Sequence, residues 1–335
     1  MKKICVLPGD GIGPEVVECA TSVLRAATDQ LELVEGSIGL AAHGERGSYL
    51  PDETLDLMRS TDSTLFGAVT TPNQPDYVSP VLTFRKQLDL YANVRPVRSF
   101  SRPGSSKPID VVIVRENTEG MYTQNEVFDD SGVTTVRRVT RRACERIVDF
   151  AIDYALKRGR QKVCCVHKSN VLRASDGLFL SIFREKMTSF GRSLKSEEQL
   201  VDSAGLMLVT DPGRFDVIVT LNLYGDILSD VAAGVAGGLG FAPSGNIGEK
   251  HSVFEPAHGS APDIAGKGVA NPTAAILSGA MMLRHLGMSA PAMSIERTVA
   301  SVYQSGHLTR DLGGRHGSKS FTEHVIRGLK ALDSL

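Results

Sequence analysis

A chain of 335 residues whose 37 Lys and Arg nearly balance 38 Asp and Glu, for a formal charge of −1, offers no basic surface to nucleic acid or to an anionic membrane. With 41% hydrophobic and 22% charged residues, it has a globular composition and is long enough for two core-forming lobes or one large α/β unit. Five cysteines (Cys5, Cys19, Cys144, Cys164 and Cys165) form no CxxC pair, which predicts reduced, buried thiols in a cytoplasmic setting. The opening MKKICVLPGDGIG lacks an apolar export segment, and no stretch reaches the ~20 continuous apolar residues of a membrane span.

In chain order, KKICVLPGD reads as a buried strand and GPEVVECATSVLRAA as a helix, with Val16, Val17, Ala20, Val23, Leu24 and Ala27 at helical spacing and Pro14 suited to the first turn. The linking GDGIGPE (9–15) is a partial match to a dinucleotide fingerprint but lacks its third glycine and an acidic ribose partner. A tight turn explains these glycines as well as a ligand does. STLFGAV (63–69), IDVVIVREN (109–117), QKVCCVHKSN (161–170) and FDVIVTLNL (215–223) are further strands. Each ends in polar residues, so the carboxyl-terminal edges of the sheet are expected to carry the chemistry. SFSRPGSSKP (99–108) is the expected crossing between lobes and the glycine-rich GGLGFAPSGNIGEKH (237–251) an irregular return crossing. EPAHGSAPDIAGKGVANP (255–272) reads as a loop leading into the helical TAAILSGAMML.

Within this frame, NLYGDILSD (222–230) places Asp226 and Asp230 about one helical turn apart, so both carboxylates point the same way. Paired anions at such a place suit a hard divalent cation, Mg²⁺ or Mn²⁺; a helix N-terminus that favours Asp in its first turn is the alternative. Arg85, Arg95 and Arg115 suit a small molecule bearing several carboxylates, because each guanidinium can grip one through two parallel hydrogen bonds. Tyr122 follows Arg115 closely. Lys168 ends a strand, where a lysine held near a metal and other cations can act as a base. The 255–272 loop can bring backbone close to a ligand, and its Asp263 would accept hydrogen bonds from a ribose diol while repelling a 2′-phosphate, which favours NAD over NADP.

Taken together, GDGIGPEV, LDLYANVRP, VRENTEGMY, HKSNVL, NLYGDILSD, HGSAPDIAGKGVANPTA and DLGG (311–314) resemble the β-decarboxylating dehydrogenases, the isocitrate/3-isopropylmalate dehydrogenase family, over nearly the whole chain. The resemblance implies an α/β, two-lobed, non-Rossmann fold with a shared central mixed sheet. It places a cofactor lobe in residues 1–98 plus 252–335, and a substrate, metal and dimerisation lobe in 99–251. It implies a homodimer with shared active sites, a tetramer being the larger alternative. By matching motifs, Ser79, Arg85, Arg95, Arg115 and Asn170 would hold the substrate and Tyr122 would protonate the enol. Lys168 would come from the other subunit to take the hydroxyl proton. Asp226 and Asp230 would bind Mg²⁺ or Mn²⁺ with Asp202 supplied across the dimer. NAD would lie along Ile12, Thr70, Glu255, His258, Gly259, Ser260, Ala261, Asp263, Ile264 and Asn271. Retention of Tyr122, Lys168, Asp202, Asp226 and Asp230 speaks against a non-catalytic regulatory subunit.

Substrate choice is implied by the residues just before Arg85, YVSPVLTFR (77–85). Ser79 is present, but Val81 stands where isocitrate enzymes commonly carry a polar partner. Val81 and Leu82 could instead face the isopropyl group of 3-isopropylmalate. The SP-rich segment combined with HKSNVL and SDGLF looks most like the homoisocitrate-oxidising branch of lysine biosynthesis. Isocitrate and 3-isopropylmalate, the latter in leucine biosynthesis, are the alternatives.

Overall fold

The computed structural model describes residues 1–74, 77–101, 108–190 and 194–333. Among these the strands are β1 (Lys2–Gly9), β2 (Leu31–Glu35), β3 (Ser63–Ala68), β4 (Ala92–Arg98), β5 (Asp110–Glu116), β6 (Glu126–Asp129), β7 (Gly132–Thr135), β8 (Lys162–His167), β9 (Lys195–Leu200), β10 (Val217–Thr220), β11 (Pro243–Ile247) and β12 (Ser252–Pro256). The helices are α1 (Gly13–Ala27), α2 (Leu40–Arg46), α3 (Asp52–Ser60), α4 (Pro80–Gln87), α5 (Arg141–Lys157), α6 (Ser175–Ser189), α7 (Val201–Thr210), α8 (Asn222–Ala236), α9 (Thr273–His285), α10 (Ser289–Gln304) and α11 (Ser318–Asp333).

Ten strands form one mixed sheet in the order β2-β1-β3-β12-β11-β4-β5-β10-β8-β9. Its flanks are parallel, with helices covering both faces, which is why β3 and β10 are buried along their whole length. Its centre is antiparallel: β11 pairs with β12 and β4 in that sense, and so does β4 with β5. The two flanks therefore run in opposite directions. One pair of apolar clusters gathers residues from 4–90 and 241–329, with α1, α9, α10 and α11 packed together. Another pair gathers under residues 92–247, around α5, α6 and α8. All five cysteines are free and buried; burial pushes the Cys5, Cys144 and Cys164 thiols up to about 12 and Cys19 to about 11.

Three sequence expectations meet the structure differently. The segment 237–251 is not irregular throughout, because Pro243–Ile247 forms the central strand β11. Gly245 there lies where a Cβ would come within 2.8 Å of the Phe254 ring, and Ser244 and Asn246 are fully buried with their hydrogen bonds satisfied, so polar composition concealed a core strand. The helix after FDVIVTL begins at Asn222, so Asp226 lies beyond its first turn and the N-terminal preference of Asp does not account for it. The expected crossing at 99–108 falls largely on residues 102–107, which lie outside the described residues. The glycine-rich turn after β1 serves backbone packing: Gly9 and Gly11 have φ of +76° and +61°, and a Cβ on either would come within 2.0 Å of the Ala68 or Ser260 carbonyl oxygen. No described helix is long and apolar enough to cross a membrane.

Candidate active site

Strand register builds the site. Asn93 and Arg95 are two apart in β4 and share one face of the sheet; Asn246 pairs with Asn93, and Asn93 pairs with Arg115. These side chains, with Ser244 and Glu255 from the neighbouring strands, make a polar patch on an otherwise apolar sheet. Asn93 donates to the Ser244 hydroxyl (2.8 Å) and to Asn246 Oδ1 (2.9 Å), and its own Oδ1 accepts from Arg95 Nε (2.7 Å). Asn246 in turn donates to Glu255 (2.8 Å), which accepts from Arg85 (2.8 Å). A continuous hydrogen-bonded row thus fixes Arg85 and Arg95, contributed by α4 and β4, while each keeps part of its guanidinium for other partners. Arg95 comes from the middle of an antiparallel strand, so not every site residue stands at a carboxyl-terminal strand end as expected. The antiparallel centre of the sheet is the reason.

Helix α8 lies across this patch. Gly225 allows its approach, because a Cβ there would meet Arg115 Cβ and Cγ at 2.6 Å. Arg115, only 1% exposed, donates through Nε and Nη2 to Asn222 Oδ1 (3.0 and 2.8 Å) and through Nη1 to Asp226. Arg95 approaches Asp226 at 3.2 Å and Asp230 at 3.6 Å, and donates to the Ser229 hydroxyl at 2.7 Å. The Tyr122 hydroxyl, from the turn Met121–Thr123, donates to Asp226, and the Arg115 guanidinium sits 4.9 Å from the Tyr122 ring centre.

The electrostatics follow from this packing. Burial, with the Arg95 charge beside it, pushes the Arg115 guanidinium down to about 10, opposed by Asp226. Burial tends to raise the Asp226 carboxyl, but Arg115, Arg95 and the Tyr122 hydroxyl outweigh it and hold Asp226 below the usual carboxylate range. Asp230 goes the other way: burial and the neighbouring Asp226 charge push it up, with Arg95 compensating only in part. Burial, aided by Asp226, also raises the Tyr122 phenol, so it stays protonated at neutral pH.

Asp226 and Asp230 both turn toward Arg95, which meets the geometric expectation for the pair, and exposed Asp230 is a carboxylate short of positive charge. Hard oxygen donors of this kind fit Mg²⁺ or Mn²⁺. Within one chain they supply two such ligands. Asp202, in the first turn of α7, is instead ion-paired with Lys168. That pair is separate from the Arg95–Arg115–Asp226 group and considerably more exposed. Asn170 lies exposed in the turn after Lys168, and Ser79 caps α4, its hydroxyl accepting from the Leu82 amide at 3.3 Å.

Most of the expected nucleotide residues form a second cluster. Ile12 N donates to the Ser260 carbonyl (2.8 Å), and the Thr70 hydroxyl donates to Ser260 Oγ (2.7 Å). Ala261 adopts a φ of +39° before the turn that carries exposed Asp263 and half-buried Ile264. His258 Nδ1 bonds the carbonyl of exposed Gly259, while its Nε2 is buried with no partner, an orphan that an incoming ligand would satisfy. Asn271 is set apart, donating to Asp311 at 3.0 Å and accepting from the Thr273 amide at 3.0 Å. Glu255 sits instead in the first cluster, through its ion pair with Arg85 and the hydrogen bond from Asn246. A cavity of about 740 Å³ contains none of these residues; its lining from Val94, Pro96, Tyr154 and Met281 places it on the opposite face of β4.

Sequence reasoning missed Asp10, Asn93, Asn222, Ser229 and Asn246. Asp10 accepts from the Leu40 and Thr70 amides and ties the first turn to the second cluster. Period 2 could have paired Asn93 with Arg95, and helical spacing could have aligned Asn222, Asp226 and Ser229. Asn246 carried no such signal.

Known proteins share this architecture. The isocitrate/isopropylmalate dehydrogenase family model matches residues 3–326. The chain is 48% identical over 334 residues to an isocitrate/homoisocitrate dehydrogenase from Thermus thermophilus, covering 98% of this chain and 99% of that protein. It is 44% identical over 329 residues to a 3-isopropylmalate dehydrogenase from Methanothermobacter thermautotrophicus, covering 98% of each. The crystal structure of isocitrate dehydrogenase from Methylococcus capsulatus superposes with a TM-score of 0.95 at 43% identity, covering 98% of this chain and 100% of that one. The sheet, the family match and these relatives agree: this chain belongs to the isocitrate/isopropylmalate dehydrogenase family and is a β-decarboxylating dehydrogenase.

Proposed function

We propose that this enzyme oxidises and decarboxylates a 3-carboxy-2-hydroxy acid with NAD⁺ and Mg²⁺ or Mn²⁺, homoisocitrate to 2-oxoadipate in lysine biosynthesis being the first choice. The observation that carries the chemistry is the convergence of Arg95, Arg115 and Tyr122 on Asp226, with Arg85 held beside them by Glu255. Three guanidiniums in one cleft match the several carboxylates of such an acid, and their hydrogen-bonded supports hold them before substrate arrives. Ser79 stands at the entrance of α4, with Val81 and Leu82 one turn before Arg85. Asn170 would add a contact from the Lys168 turn.

Lys168 takes the hydroxyl proton during oxidation, and Tyr122, already poised with its proton toward the site, returns one to the carbon that lost carbon dioxide. Both act near Asp226 and Asp230. Asp226 and Asp230, with Asp202 as the third ligand, would hold the cation, which would supply Lewis-acid stabilisation of the ketone and of the charge left by decarboxylation, and NAD⁺ would be the hydride acceptor. Ile12, Thr70, Glu255, His258 to Ala261, Asp263, Ile264 and Asn271 would hold NAD. The cofactor lobe comprises 1–98 plus 252–335, and 99–251 is the substrate, metal and dimerisation lobe.

Lys168 and Asp202 reach the site from a second subunit. Support comes from apolar surface on the same lobe: Phe128 and Val133 on the solvent-facing β6–β7 hairpin, and Leu206 and Val209 on α7, the helix that carries Asp202. A two-stranded hairpin is marginal by itself and gains most from docking on a partner.

Measured kcat/KM for homoisocitrate, isocitrate, 3-isopropylmalate and D-malate, each with NAD⁺ and NADP⁺, tests the substrate. A preference for homoisocitrate above tenfold, about 1.4 kcal/mol of transition-state discrimination, is expected. An equal preference for 3-isopropylmalate would transfer the assignment to Val81 and Leu82 as an apolar pocket. Asp263→Lys should shift the NAD/NADP ratio toward NADP, and an unaltered ratio would remove Asp263 from the ribose site.

A further inference from the structure

Far from the Asp226 cluster in sequence, three histidines meet at the end of the chain. His307 follows α10, His316 precedes α11, and His324 is in the second turn of α11; all three are half-buried. One potential ligand nitrogen from each lies within 4.8 Å of the other two, and this is the one such group of three or more found among the described residues. His307 Nδ1 and His316 Nε2 are 3.4 Å apart, and the His307 and His324 rings stack with centres 3.8 Å apart. The backbone enforces the first pairing. His316 N donates to the Leu308 carbonyl at 3.2 Å, Thr309 and His316 form a parallel bridge, and Gly314 approaches so closely that a Cβ would lie 2.0 Å from Leu308 O.

We propose that His307, His316 and His324 form a second metal site, selective for Zn²⁺ or a similar transition-metal ion over Mg²⁺. Imidazole nitrogens suit zinc, whereas Mg²⁺ and Mn²⁺ prefer carboxylate and water oxygen. A tetrahedral ion with Zn–N distances of about 2.0–2.1 Å sets neighbouring ligand nitrogens roughly 3.3–3.4 Å apart, the separation that His307 and His316 already have. His324 needs only to turn its imidazole out of the stack toward the other two, leaving the fourth position to water. The ion would clip α10 to α11 across the Arg310–Leu312 turn, where Asp311 accepts from Asn271. It would therefore be structural, distinct from the cation at Asp226 and Asp230.

Isothermal titration of the metal-free full-length protein with ZnCl₂, in saturating MgCl₂, tests the site. One equivalent per chain is expected to bind and to raise the melting temperature. His316→Gln and His324→Gln should each weaken that equivalent at least tenfold and abolish the thermal shift. Unchanged zinc affinity in both variants would overturn the proposal, as would the absence of any magnesium-insensitive equivalent in the wild type, leaving a stacked histidine cluster only. Should the variants fold poorly, CoCl₂ added to the wild-type chain decides: the intense visible bands of tetrahedral Co²⁺ are expected, and a spectrum like that of the hydrated ion would refute the site.

Discussion

Two ion-paired groups, Arg115–Asp226 and Lys168–Asp202, look alike in sequence and differ in the fold. Arg115 is 1% exposed at the side chain and Asp226 33%, with Asn222, Tyr122 and Arg95 completing their partners. Lys168 and Asp202 are 27% and 62% exposed and depend chiefly on each other. A buried guanidinium must be paired and hydrogen-bonded or it destabilises the fold, so the chain finishes the first group itself. The second can stay incomplete at little cost in water, which leaves Lys168 and Asp202 free to exchange partners, as the proposed dimer requires.

The largest effect is expected from Asp226→Asn. Removing the charge strands Arg115 in the interior, so metal-free protein should lose about 3 kcal/mol in denaturant unfolding as well as its activity. An intact stability would mean that Asn222 alone satisfies Arg115. The sign with pH follows: Asp226 titrates below the ordinary 3.8, so its stabilisation is complete above that value and disappears as the pH falls through the lower folded value. The wild-type curve should therefore drop more steeply below about pH 4 than that of Asp226→Asn.

Gly225→Ala should cost about 1–3 kcal/mol, because a Cβ drives α8 off Arg115, and kcat should fall as Asp226 moves with the helix. Wild-type kinetics in this variant would show that α8 tolerates displacement. At the exposed pair, Asp202→Asn and Lys168→Met should change stability by less than about 1 kcal/mol yet abolish turnover. Mixing Tyr122→Phe with Lys168→Met subunits then sharpens the contrast. If each site takes Tyr122 from one chain and Lys168 from the other, random 1:1 reassociation restores roughly a quarter of wild-type activity, since half the dimers are mixed and each has one intact site. No recovery after verified subunit exchange would place both residues in one chain.

The sequence made the flanking strands legible because parallel strands buried on both faces must be apolar runs, as in FDVIVTL and QKVCCVH. It hid the centre. Pro243, Gly245 and Asn246 look like loop residues, and Pro96 disguises β4, yet both strands are interior because Asn93, Asn246 and Glu255 satisfy one another there. The charged site residues were readable by type and spacing, whereas their neutral supports, Asn93, Asn222 and Ser229, could be recognised only once the register and the helix packing were known. The histidine trio escaped for a related reason: its members are separated by 9 and 8 residues, a spacing that matches no metal motif, and a tight backbone return brings them together.

By itself the chain determined its family, its alternating architecture and the identity of the groups able to bind carboxylates and a hard cation, since those depend on local pattern and side-chain chemistry. Tertiary structure alone decided which of them meet. Charge is a property of a residue, but burial and pairing depend on neighbours that register and helix packing select, and these set Asp226 low, Asp230 high and Lys168 toward the surface.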